Sequence, residues 1–172
     1  MTSSEQIDHA RDRREEELKR LRAQHVLFKA YLKGNILAPL DLHAGRVRIL
    51  DSATGDAFWL EDITEQVSTR ATLIGADLRP IRSRSVLPPK IKMRRQDIRC
   101  AWPSRWASSF DLVHQRLVLA QIPQHEMAVQ TIRRLIKLVK PGGWIQLDES
   151  QAAIDSRQED LRPVETGTIC IP

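Results

Sequence analysis

Three aspartates, Asp51, Asp77 and Asp97, each fall at or near the end of a candidate strand, the first closing a short apolar run. The first also opens a turn of small residues, Asp51-Ser52-Ala53-Thr54-Gly55-Asp56-Ala57, which leads into Phe58-Trp59-Leu60. A strand, a tight turn and a helix start in that order are the layout of a phosphate- or nucleoside-binding turn. A dinucleotide fingerprint needs small residues at G-x-G-x-x-G, and its third position here would be Phe58. The spacing that works is small-x-Gly-x-small: Ala53, Gly55, Ala57. No Gly-Lys-Ser or Gly-Lys-Thr occurs, so there is no P-loop. A carboxylate after a second strand can accept both hydroxyls of a ribose. One after a third can accept an exocyclic amine, and one after the first can sit beside a cationic amine. Together they suit a ligand that carries adenosine and a positive charge. His114 is the one local side chain that titrates near neutrality and is a weak candidate base.

These residues need elements to bring them together. Residues 4–33 predict one amphipathic helix, because Leu18, Leu21, His25, Phe28 and Leu32 recur at steps of three and four. Charged residues are expected on its other face, and Gly34-Asn35 ends it. It is either a packing element or a lid over the pocket. From residue 46 the pattern alternates. Strands are expected at 47–50, 71–78, 91–98, 110–114 and 144–147, with helices at 58–67 and from Gln124 to Pro141-Gly142-Gly143. That alternation predicts an α/β fold with a parallel sheet and right-handed crossovers. Ligands of such sheets bind at the carboxyl ends of the strands, where all three aspartates fall.

The 172 residues suit a single core, with 41% hydrophobic and 28% charged residues. The net charge of +5 gathers at 79–84, 90–99 and 133–140. Aromatics do not interleave with these charges, so solvated faces are favoured over a nucleic-acid surface. Cys100 and Cys170 give neither a disulfide framework nor metal spacing. No apolar run is long enough to span a bilayer. The N-terminus lacks a signal-peptide core, which makes cytoplasm, or nucleus, the expected location.

Several motifs in order give the chain a resemblance. Residues 22–32 precede the core. Asp51 to Trp59 is similar to a D-x-G-T-G-x-G-x-W turn, and Gly75-Ala76-Asp77-Leu78-Arg79-Pro80 to a G-x-D-L-S-P strand end. Asp97 with Trp102-Pro103 follows. Phe110-Asp111-Leu112-Val113-His114-Gln115-Arg116 is similar to F-D-x-x-H-x-R, and residues 140–149 to K-P-G-G-W-x-E-x-x-E. Over roughly residues 20–149 the chain resembles the class I S-adenosylmethionine-dependent methyltransferases. More narrowly, it resembles the fungal (LaeA-type) group related to a methyltransferase-like global regulator of secondary metabolism.

The resemblance implies a Rossmann-like fold in three parts: an N-terminal helix or lid at 1–40, a cofactor-binding core at 41–149 and a tail at 150–172. It implies S-adenosyl-L-methionine as cofactor and no metal. Ala53 and Gly55 would lie against its methionine part with Asp51 near the amino group. Asp77, followed by Leu78, would hold the ribose, and Asp97 with the backbone of Ile98 the adenine. His114 would lie near the sulfonium. The expected activity is methylation of a small molecule in fungal secondary metabolism. The alternative is a truncated, catalytically weak subunit that binds a partner and regulates, and a third reading is an RNA or protein methyltransferase. Two departures matter. Ala53 and Ala57 stand where such turns carry glycine, and Ala57 is expected to add bulk toward the ligand. The chain also stops soon after the fifth strand, where the family continues with a helix and an antiparallel hairpin. Only 166–171 offers a further strand, so the fifth strand is expected as a bare edge open to a protein partner or a second copy.

Overall fold

The computed structural model describes residues 3–80, 87–151 and 165–171. Most of the basic run at 79–84 and much of the tail therefore lie outside the described residues. Helix α1 (Ser3–Leu32) precedes strands β1 (Arg48–Ser52), β2 (Thr72–Asp77), β3 (Ile91–Arg95), β4 (Phe110–Arg116), β5 (Val139–Gln151) and β6 (Glu165–Ile171). Helix α2 (Phe58–Asp62) follows β1, and α3 (His125–Ile136) precedes β5. The strand order is β3-β2-β1-β4-β5-β6. The first five are parallel and β6 runs antiparallel to β5. The expected α/β sheet is present, with a correction at its end. Thr166 to Ile171 does form a strand, and it pairs with β5 from Ile145 to Gln151. The β5 edge is thus occupied by the chain itself and is not open to a second copy or a partner.

Side chains alternate between two cores. Ile49, Leu73 and Leu112 pack with Trp59, Leu60 and Ile63 of the α2 region. Their sequence neighbours Leu50, Ile74 and Val113 pack with Trp106, Phe110 and Leu135 on the opposite side. This period of two fixes the site, because the next residues along on the α2 side are Asp51, Gly75 and His114, mutually in register. Polar groups therefore succeed apolar ones where each strand leaves the core.

Several elements differ in length from expectation, among them α3, which ends at Ile136 and not at Pro141, and β4, which runs on to Arg116. Helix α2 stops at Asp62, because Thr64 and Gln66 turn their side chains back onto the carbonyls of Leu60 and Asp62. The backbone then tightens to three-residue spacing. Ile63 and Val67 stay buried without a regular helix. Strand β3 ends at Arg95, leaving Asp97 in the loop beyond. Strand β5 begins at Val139, and Pro141-Gly142-Gly143 forms a bulge in it where the register against β4 shifts. The α1 stripe packs as expected, with His25 and Phe28 buried. Its outer face is charged only up to Arg22; Ala23, Val26, Leu27, Ala30 and Tyr31 are exposed.

Candidate cofactor cleft

A cleft of about 610 Å³ opens at the carboxyl ends of β1, β2 and β4. Asp51, Ala53, Gly55, Asp77, Leu78, Asp97, Ile98 and His114 all line it. Helix α1 forms the opposite wall through Glu17, Leu21, Gln24 and His25, and the β4 end contributes Arg116 to Val118. Helix and turn are in close contact. A Cβ on Gly55 would come within 3.2 Å of Leu21 Cδ1.

The turn is left-handed three times, at Ala53 (φ 57°), Gly55 (φ 58°) and Ala57 (φ 66°). These are the positions where the D-x-G-T-G-x-G pattern carries glycine, and the conformation explains why. The expectation for Ala57 needs correction. Its methyl group is fully buried in the α2-side core and does not line the cleft. It therefore adds no bulk toward a ligand, whereas Ala53 does face the cleft. The three carboxylates are held differently. Asp77 accepts hydrogen bonds from the backbone N–H of Gly55 at 3.0 Å and of Arg79 at 2.8 Å, which ties the β2 end to the turn. Asp97 is paired with Arg99 at 2.7 Å, and the Arg99 hydrogen bond lowers its pKa. This pair is exposed and screened by solvent, so it is little hindrance to another donor at Asp97.

Asp51 is buried. It accepts from Thr54 Oγ1 at 2.5 Å and contacts His114 Nδ1 at 2.7 Å. The other ring nitrogen, His114 Nε2, is 2.9 Å from Asp148 Oδ2. Asp148 also accepts from Arg116, Gln146 and Thr168. Burial works against ionisation of Asp148, but the His114 and Arg116 contacts outweigh it and hold its pKa below the usual range. The chain of contacts continues outward. Arg116 Nη1 reaches His25 Nδ1 at 3.2 Å, and His25 Nε2 lies 2.9 Å from Asp62. Asp62 accepts further from Lys29 and Asn35. Burial opposes its charge, yet those donors bring its pKa down to about 2. The Trp59 indole stacks on the His114 ring, with centroids 3.8 Å apart and planes 3° from parallel.

Sequence reasoning assigned no role to Asp148, Arg116 or Glu149, although each falls inside a quoted motif. Glu149 Oε1 accepts the backbone N–H groups of Val118 and Leu119, clamping the turn after β4. Leu117 in that turn has φ 53°, a strained value for a bulky residue. Gln146 stands where the K-P-G-G-W-x-E pattern has glutamate. It uses both ends of its amide, accepting from Leu37 N and donating to the Asn35 carbonyl. A carboxylate could only accept.

The donor set suits an adenosyl sulfonium ligand. Free acceptor capacity remains on Asp77, the turn backbone at Gly55 approaches closely, and a buried carboxylate lies beyond it. Solved structures give the class. An S-adenosylmethionine-dependent methyltransferase from Mesorhizobium loti has a TM-score of 0.53 at 23% identity, covering 66% of this chain and 50% of that one. A putative one from Listeria monocytogenes has a TM-score of 0.56 at 15% identity, covering 73% and 55%. The fold is that of the class I methyltransferases. No protein-family model matches the chain.

Curated relatives are nearer. The chain is 42% identical to N-methyltransferase gliN of Aspergillus fumigatus over 136 residues, 78% of this chain and 48% of the relative. It is 42% identical to N-methyltransferase sirN of Leptosphaeria maculans over 142 residues, and 40% identical to N-methyltransferase tcpN of Claviceps purpurea over 143. It spans about half the length of each. No described helix is long and apolar enough to cross a membrane.

Proposed function

We propose that the chain carries the cofactor-binding fold of an S-adenosylmethionine-dependent methyltransferase that methylates a nitrogen of a small molecule in fungal secondary metabolism. The observation that carries this reading is the convergence on one cleft of Asp51 and Asp77 at the ends of β1 and β2, Asp97 in the loop after β3, and a triply left-handed turn. The nitrogen acceptor follows from the relatives' names. The narrower kinship with the regulator-like fungal group rests on motif order alone. S-adenosylmethionine, when bound, supplies a methyl group activated on a sulfonium. In this reading Asp77 accepts the ribose hydroxyls, Asp97 and the Ile98 backbone hold the adenine, and Ala53 and Gly55 leave room for the methionine backbone beside Asp51. Asp77, Asp97 and the turn at Ala53 and Gly55 would hold the cofactor so that its methyl group is presented to an acceptor nitrogen in the cleft. The chain's contribution is positioning, the main source of rate for an in-line transfer.

Isothermal titration with S-adenosylmethionine tests this. Saturable binding is expected, and Asp77→Ala should weaken it by at least about tenfold, the worth of a charge-assisted hydrogen bond. Absence of binding at millimolar concentration would refute the cofactor assignment. Unchanged affinity in Asp77→Ala would refute the ribose role. The second reading, a partner-binding subunit, is favoured by one observation, the exposed apolar stripe of Ala23, Val26, Leu27, Ala30 and Tyr31 on α1. Binding without turnover of any amine or amide acceptor would favour it.

A further inference from the structure

We propose that His114 is a fixed cation, an imidazolium that bridges Asp51 and Asp148 and holds Asp51 in place at the cleft, and that it is not the group that takes a proton from the methyl acceptor. The geometry carries this. Both ring nitrogens lie within hydrogen-bond distance of a carboxylate oxygen, Nδ1 at 2.7 Å from Asp51 and Nε2 at 2.9 Å from Asp148. An ionised carboxylate has no proton to donate, so each contact is a hydrogen bond only if the ring supplies the hydrogen. A neutral imidazole would set a bare lone pair against one of them. The remaining carboxylate oxygens are already supplied, by Thr54 on Asp51 and by Gln146 and Thr168 on Asp148.

Charge balance gives the same answer. The groups facing His114 are Asp51 on β1, Asp148 on β5 and the uncharged Trp59 ring on α2, with Arg116 of β4 behind Asp148 and His25 of α1 behind Arg116. Asp51, His114, Asp148 and Arg116 then alternate in sign and sum to zero. With His114 only 1% exposed, a neutral ring would leave one buried carboxylate without its counter-charge, a costly state. The parallel stack on Trp59 places a cation over an indole face, which adds to the preference. Burial favours the neutral ring, but the two carboxylates outweigh it and raise the pKa.

His114 is thus a positioning residue. It has no vacant nitrogen to serve as a base, and Asp148 acts one step further back, outside the lining of the cleft. The role at the cofactor rests on the function proposed above, while the protonation state does not. Long-range ¹H–¹⁵N spectra of the labelled, ligand-free chain test the second point, with His114→Gln assigning the signals. Should that variant fail to fold, contacts to the Trp59 ring protons assign them in the parent chain. At about pH 8 an ordinary imidazole is about 97% neutral. The expected result is two protonated nitrogens for His114. One protonated and one bare nitrogen would overturn the proposal.

Asp148→Asn supplies the functional arm. Removing one of the two carboxylates lets His114 lose its proton as pH rises. S-adenosylmethionine affinity of this variant should fall several-fold between about pH 6 and pH 8, while the parent stays level. A level profile in Asp148→Asn would overturn the positioning role. Failure of the parent to bind S-adenosylmethionine would overturn the cofactor reading and leave the spectroscopic result standing.

Discussion

At Ala53 and Ala57 an alanine occupies a left-handed conformation, with φ 57° and 66°. Each costs about 1–2 kcal/mol relative to glycine in the same geometry. Glycine also widens the unfolded ensemble, which returns about 0.4–1 kcal/mol of that gain. The difference between the two sites is burial. Ala57 is fully enclosed in the core, so removing its methyl forfeits a further 0.8 kcal/mol or about that. Ala53→Gly should therefore stabilise the chain by about 0.5 kcal/mol or more, while Ala57→Gly should be close to neutral. Urea denaturation of the two variants checks the order, and a larger gain at position 57 would contradict it. The sequence located both alanines as departures but ranked them the other way, because spacing cannot show which methyl faces the cleft. The same limit applied to His114. Its neighbours Asp51 and Asp148 lie on two flanking strands, and only the register places all three on one face. By contrast, the gathering of Asp51, Asp77 and Asp97 at one edge was legible, since the carboxyl edge of a parallel sheet follows from strand order, although Asp97 lies in the loop past β3 and not at its end.

At the scale of elements, α1 is fastened to the sheet by His25, which sits between Arg116 and Asp62. Arg116 can only donate, so His25 Nδ1 accepts and Nε2 donates to Asp62: the neutral ring. Burial, with help from the Arg116 charge, lowers the His25 pKa against the opposing pull of Asp62. A folded pKa below the unfolded one makes the unfolded chain bind the proton first. Stability is then intact above the unfolded value of about 6.5 and falls as pH drops through it. His114, with its raised pKa, contributes the opposite trend, so the expected signature is a difference: on going from about pH 7.5 to 5.5 the parent's denaturant midpoint should fall relative to that of His25→Asn, in which the His114 contribution is retained. An equal slope in the variant would rule His25 out as the cause. Strand β2 offers a sharper case. A Cβ on Gly75 would lie 2.7 Å from Met93 Sδ and 2.9 Å from Thr54 Cγ2. Gly75→Ala should cost about 1–3 kcal/mol by overpacking and, through Thr54, should also weaken cofactor binding. Thermal unfolding and titration together would show it, and a lost Tm with intact affinity would separate strand from turn. Element positions were readable from periodicity, including the inner stripe of α1. The outer apolar stripe was missed, because the charges of residues 12–22 dominate the pattern of the whole helix.

For the whole molecule, the sheet has two edges, β3 and β6. Strand β3 carries Lys92, Arg94 and Arg95, charges of the kind that discourage further pairing. Among the described residues no strand pairs with the outer side of β6, Glu-Thr-Gly-Thr-Ile-Cys-Ile, which carries little charge. Ile169 and Ile171 on it are 59% and 41% exposed. They share a sheet face with Leu147 and Ile145, their partners on β5, which are buried. The apolar face that α3 helps to cover over β5 thus continues onto β6 in the open. The sequence pointed to a bare edge one strand too early: 166–171 was readable as a possible short strand, but its Thr- and Ile-rich run does not show that it pairs with β5. The physical liability it described has moved outward by one strand. The chain should self-associate with rising concentration through the β6 edge. Ile169→Lys should suppress this, because a lysine on an edge strand must be desolvated before a second strand can pair. At a site already more than half exposed, the substitution should leave Tm nearly unchanged. Sedimentation velocity across a concentration series would decide the matter. The parent's average mass should climb while the variant's stays at that of one 19.7 kDa chain, and a parallel climb in both would place the contact elsewhere, with the outer stripe of α1 next to be tested.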